Sequence, residues 1–92
     1  MENLKLNLSE IRDSISEVDE EIVQLLEKRF NLTLKVGQYK KNNNIPIFDD
    51  EREKIVIEKC MDMLEDSKFG NYLQKIYEEI MNNCKEIQKN EI

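Results

Sequence analysis

Two cations interrupt a row of residues that should be apolar. From Ile11, apolar residues recur at Ile15, Val18, Ile22 and Leu25 in a 4-3-4-3 spacing. The same spacing then reaches Arg29, passes Leu32 and Val36, and arrives at Lys40. Arg29 and Lys40 are eleven residues apart, which returns a helix to nearly the same face. A cation buried without a partner is strongly destabilising. Two on one seam are therefore either paired with carboxylates or arranged for an anionic ligand. Further along, Asp49, Arg52 and Glu53 precede Val56 and Cys60 at i, i+3, i+4, i+7 and i+11, again one helical face. Gln88 lies one turn beyond Cys84 and two beyond Ile80. If these segments pack together, Arg29, Lys40, Arg52, Glu53 and Gln88 converge in one polar pocket inside a bundle, where ligand sites are commonly built.

Each residue also has an ordinary reading. Arg29 or Lys40 alone is most simply a long side chain with its head in water. Arg52 and Glu53 make a charged first turn, in which Glu suits the helix dipole. Gln88 alone is a solvated polar residue, and Cys60 and Cys84 are small core hydrophobes. Met61 and Met63 fill core. Asp13, Glu17, Asp19, Glu20 and Glu21 form a solvated acidic face. Only the conjunction favours a site.

Composition narrows the chemistry. The chain has 92 residues, no histidine and a formal charge of −6. Without histidine there is no Ser–His–Asp or Cys–His pair, no imidazole proton shuttle and no imidazole metal ligand. Cys60 and Cys84 do not form a CxxC motif and cannot make a zinc site by themselves, so no metal is expected. The acidic balance disfavours nucleic acid, whose phosphates would be repelled. The first ten residues lack the apolar core of a signal peptide, and no apolar run approaches a bilayer span. The expectation is a reduced, cytoplasmic protein of one domain that does not engage a membrane.

Helices must position these groups. Two glycines and one proline are too few turn residues for an all-β domain. Asn7 with Glu10 can cap a first helix over about residues 8–41, roughly 50 Å at ~1.5 Å per residue. Asn42-Asn43-Asn44-Ile45-Pro46 ends it. Asp50 with Glu53 caps a second, over about 50–65, whose apolar stripe is Val56, Cys60, Met63 and Leu64. A third, over about 70–89, places Leu73, Ile76, Tyr77, Ile80, Cys84 and Ile87 on one side. The two shorter helices cannot cover the whole seam of the long one. Exposed apolar surface of that extent marks an interface, and the expectation is an all-α homodimer in which two long helices pack together.

Several segments, in order and at matching spacing, resemble the all-helical (class II) chorismate mutases from about Leu8 to Gln88. Ile11-Arg12-Asp13-Ser14-Ile15, Val18-Asp19 and Leu25-Leu26-Glu27-Lys28-Arg29 look like the family's opening helix. Val36-Gly37-Gln38-Tyr39-Lys40 is similar to its V-G-x-x-K segment, and Ile45-Pro46-Ile47-Phe48-Asp49-Asp50-Glu51-Arg52-Glu53 to its P-[VI]-x-D-x-x-R-E segment. The resemblance implies an intertwined dimer that converts chorismate to prephenate, an isomerase of the shikimate route to Phe and Tyr. By position, Arg29 would bind one substrate carboxylate and Arg12, from the partner subunit, the other. Lys40 and Gln88 would donate to the ether oxygen. Glu53 would accept from the ring hydroxyl, with Arg52 and Asp49 completing the polar wall. Cys84 stands where many relatives carry Ser in support of a carboxylate contact, and a thiol is the weaker donor.

The chemistry fits these residues. A [3,3] rearrangement is unimolecular and needs no nucleophile, metal or redox cofactor, so no cofactor is expected. It gains from holding a dianion in a reactive conformer and from donors aimed at the ether oxygen as charge builds there. Two readings compete: an isochorismate–pyruvate lyase of similar fold and pocket, and a non-catalytic helical interaction or regulatory module. No fused dehydratase, dehydrogenase or synthase segment is visible, so a stand-alone mutase is expected. Association with another enzyme of the aromatic pathway is compatible with it.

Overall fold

A computed structural model describes residues 7–92. Among these residues are three α-helices, α1 Leu8–Asn42, α2 Asp50–Asp62 and α3 Gly70–Asn90, and a 3-10 turn, Ser67–Phe69, that leads into α3. No strand occurs among the described residues. None of the helices is long and apolar enough to cross a membrane. The chain resolves into two compact units, one ending at Asn31 and the other spanning Leu32–Ile92. Each is described by itself.

In the first unit α1 opens on Asn7. Its side-chain oxygen accepts from the Glu10 backbone N–H at 2.9 Å and its carbonyl from Ile11 at 3.2 Å. This satisfies donors that a helix N-terminus otherwise leaves without partners. The row Ile11, Ile15, Val18, Ile22 and Leu25 lies on the surface, between 43% and 64% exposed.

In the second unit the end of α1 is sharply defined. Asn44 adopts a left-handed backbone, φ 55°. Ile45 N–H donates to the Lys40 carbonyl at 2.8 Å, and Asn44 N–H to that of Lys41 at 3.4 Å. This pair of bonds is the Schellman closure, with Asn in the position that usually favours Gly, and Pro46 follows where the helix can no longer continue. A β-branched residue is penalised in that conformation by about 1–2 kcal/mol. Asn44→Val is therefore expected to lower thermal stability by about that much, and Asn44→Gly to leave it level or higher. Thermal melts of the two variants check this.

The cap of α2 differs from the sequence expectation by one residue. It is Asp49, not Asp50: Asp49 has the non-helical backbone (φ −141°, ψ 88°) and its carboxylate accepts from Arg52 N–H at 3.1 Å. Asp50 is already inside the helix. The helix also stops at Asp62 rather than near 65, because Met63 and Leu64 N–H turn back to the Cys60 and Met61 carbonyls. Asp66 then caps the 3-10 turn, accepting from Lys68 N–H at 3.1 Å.

The face that α2 turns inward is Glu53, Val56, Ile57, Cys60 and Met61, followed by Leu64 just past its end, all half-buried. Met63 is the C-cap, past the last residue of α2, and is 77% exposed, so it is not core filler. On α3 the buried line is Gly70, Met81, Cys84 and Gln88. Ile76, expected on that line, is exposed. Gly70 allows a close approach to α2: a Cβ there would stand 3.2 Å from Met61 Cε.

Candidate functional site

Helix α3 places a polar residue where another hydrophobe would suit the packing. Gln88 is only 8% exposed, and its Nε2 donates to the Thr33 carbonyl of α1 at 3.2 Å. One turn earlier Cys84, also buried, sets its Sγ 3.3 Å from Thr33 Oγ1, where either atom can donate. Gly37 makes this approach feasible. A Cβ at that position would stand 3.1 Å from Gln88 Cγ and would overlap Ile92 Cδ1. The glycine that lowers helix propensity is thus the one that lets the last turns of α3 lie against α1. An amide carries two N–H donors. The Thr33 carbonyl takes one, and no described residue takes the other.

One turn beyond Gly37, Lys40 is half-buried and donates from Nζ to the Ile47 carbonyl at 3.1 Å. This ties the ammonium to the loop between α1 and α2. The next residue, Phe48, presents its ring 6.0 Å from Lys85 Nζ of α3, a cation–π distance. Asp49 spends one carboxylate oxygen on the α2 cap, and Asp49 and Arg52 are both exposed.

Glu53 faces α3. Its Oε1 and Oε2 lie 3.2 Å and 3.4 Å from Lys85 Nζ, and the two side chains are only 23% and 29% exposed. Lys40, Glu53, Cys84 and Gln88 therefore border the packing between elements of the second unit. Arg12 is exposed and Arg29 half-buried in the first unit.

Two residues at these contacts were not anticipated. Thr33 acts partly through its backbone carbonyl, which no side-chain pattern reveals. Lys85 reads in sequence as one more surface lysine beside Cys84; only its pairing across to Glu53 distinguishes it. A groove of about 480 Å³ between α2 and α3 carries Asp50, Glu53, Glu58 and Glu78 against Lys54 as its one cation. Its charge opposes an anionic ligand, and the donors described above lie elsewhere. Among the described residues, no group of three or more His, Cys, Asp or Glu is placed to hold a metal ion.

Comparison with known proteins gives a consistent picture. Residues 11–89 match the family described as chorismate mutase type II. A bifunctional chorismate mutase/prephenate dehydratase of Aquifex aeolicus is 36% identical over 86 residues, covering 89% of this chain and 24% of that protein. A protein of the same description from Buchnera aphidicola subsp. Schizaphis graminum is 38% identical over 78 residues, covering 84% of this chain and 20% of that protein. A chorismate mutase of Methanocaldococcus jannaschii is 31% identical over 83 residues, covering 89% of this chain and 84% of that protein. The chain thus spans about a quarter or less of the bifunctional relatives and most of the shorter one.

Proposed function

The chain belongs to the chorismate mutase type II family, and from that premise we propose that it converts chorismate to prephenate, in the supply of Phe and Tyr. The observation that carries the reading is the buried Gln88 amide, held by the Thr33 carbonyl with a second N–H still to give.

In this rearrangement the ether C–O bond breaks as a C–C bond forms, and six electrons shift round a ring of six atoms. No proton moves and no covalent enzyme intermediate forms. Negative charge grows on the ether oxygen as its bond to the ring lengthens. Fixed donors at that oxygen act more strongly on the transition state than on the substrate. Lys40 supplies a charged donor; its carbonyl bond to Ile47 takes one of three N–H groups. Gln88 supplies a neutral donor. Neither must change protonation state during the reaction, which suits a chain without histidine.

The substrate's two carboxylates are assigned to Arg29 and to Arg12 of a second copy, since a guanidinium offers paired donors to a carboxylate. Glu53 accepts from the ring hydroxyl, and Arg52, Asp49 and Cys84 complete the wall. Cys84 already shares its sulfur with Thr33 Oγ1, so its contribution is to support the wall rather than to grip the substrate.

The second copy also accounts for the exposed row from Ile11 to Leu25. A row of large apolar residues along several turns of one helix is poorly tolerated in water and is removed from it when two such helices pack. An intertwined homodimer does this and brings Arg12 to its partner. Sedimentation equilibrium at micromolar concentration is expected to return twice the chain mass of 11.0 kDa; a monodisperse monomer would contradict the shared seam.

The activity itself is tested by adding the purified chain to chorismate and following loss of its conjugated-diene absorption. The rate is expected to rise in proportion to chain concentration and to saturate with substrate. No acceleration over the uncatalysed reaction would sink the proposal and favour the non-catalytic helical module.

A further inference from the structure

The Glu53–Lys85 pair has a role that the proposed reaction leaves unassigned. A carboxylate in a pocket for a dianion is a liability, because it repels the ligand that the neighbouring cations attract. The reaction as proposed nevertheless needs an acceptor for the ring hydroxyl, and ionised Glu53 is that acceptor. Lys85 reconciles the two requirements. Its ammonium lies 3.2 Å and 3.4 Å from the two Glu53 oxygens, so the pair presents little net charge. A carboxylate has about four lone-pair directions, and one ammonium leaves others open for a hydroxyl.

The pair is also built to hold its geometry. Glu53 lies near the start of α2 and Lys85 late on α3. The contact therefore crosses between helices rather than along one. Both side chains are about three-quarters buried. The Phe48 ring, 6.0 Å from the ammonium, flanks Lys85 on another side. Lys85 stands one residue after Cys84 and three before Gln88, so the helix that carries the amide donor also carries the group that fixes the acceptor. An unpaired Glu side chain would sample several rotamers, and the substrate would have to order it on binding.

Resting on the mutase reading above, we infer that Lys85 is a positioning residue, which neutralises and orients Glu53 so that a dianion is admitted while the hydroxyl acceptor is kept. It need not touch the substrate. Lys85→Met keeps most of the length of the side chain and removes its charge. That change is expected to lower kcat/KM by about tenfold, mainly through KM, as the uncovered carboxylate repels substrate; tenfold corresponds to about 1.4 kcal/mol. Lys85→Arg is expected to recover most of the loss.

The deciding experiment is a double-mutant cycle on the full chain, with steady-state kinetics on chorismate and circular dichroism to confirm the helical fold of every variant. With Glu53→Gln as background the acceptor remains but its charge is gone, and Lys85→Met is then expected to change KM by less than about twofold. An equal loss in both backgrounds, or no loss when Glu53 is intact, would overturn the role of Lys85 while the activity of the unaltered chain stood. An unaltered chain without activity would overturn the mutase reading and this inference with it.

Discussion

Replacing Arg29 by alanine is expected to reduce kcat/KM by about 10²–10³-fold while the helical content is retained. A charge-assisted, paired-donor contact to a desolvated carboxylate is worth about 2–5 kcal/mol when one partner is truncated. Nearly all of that is lost with the guanidinium. The side chain is half-buried on α1, so alanine leaves a shallow gap on a helix that gains propensity from the change. The fold should survive better than the activity. Arg29→Lys separates charge from geometry. Lysine restores a cation but not the planar fork, and it should recover only part of the loss. Steady-state kinetics beside far-ultraviolet circular dichroism read both sides of the expectation. Loss of helix in parallel with activity would instead assign Arg29 to assembly.

The second large effect is expected at Lys40. In Lys40→Met the stem stays and the donor goes. Removal of a donor aimed at developing oxyanion charge lowers kcat by about 10²–10³-fold, and a Lys40→Met variant should fall in that range, with a smaller change in KM. The split between the constants follows from timing. The ether oxygen of bound chorismate is a weak acceptor, and it becomes a strong one only as its bond breaks. The substitution also removes the bond from Nζ to the Ile47 carbonyl. That bond fixes the loop between α1 and α2, and a modest fall in thermal midpoint should accompany the kinetic loss. A variant that lost loop stability but kept its kcat would show that Lys40 serves the fold alone.

Much of the helical fold was readable in advance because helices convert spacing into direction. Arg29 and Lys40 stood out against a 4-3-4-3 apolar row, and Asn7 and Asn44 lie at the two ends of α1 with the capping contacts their side chain and backbone favour. Gln88 is the opposite case. By itself it suited solvent, and its burial follows from Gly37, which lets α3 lie against α1. The shift of the α2 cap from Asp50 to Asp49 shows the grain of such reading. Three successive acidic residues, Asp49, Asp50 and Glu51, can each be imagined as a cap, and only the backbone conformation of Asp49 selects among them. Met63 differs for another reason: it stands at the C-cap, past the end of α2, where the helical period no longer sets its direction.

What the sequence could not carry lies in contacts between elements. The Thr33 carbonyl has no signature, since every residue carries the same backbone carbonyl whatever its side chain. Lys85 is one of fourteen Lys and Arg residues, and nothing in its local sequence singles out Glu53 as its partner. Both contacts depend on how α3 meets α1 and α2, which periodicity constrains only to a face and not to a register.

The central claim is that this chain uses fixed donors to rearrange chorismate. The most direct test is a proton nuclear magnetic resonance time course of chorismate with the purified chain, which identifies substrate and product together. Prephenate is expected to appear one for one as chorismate disappears, with no pyruvate signal. Pyruvate in place of prephenate, or chorismate unchanged beyond its spontaneous decay, would contradict the account.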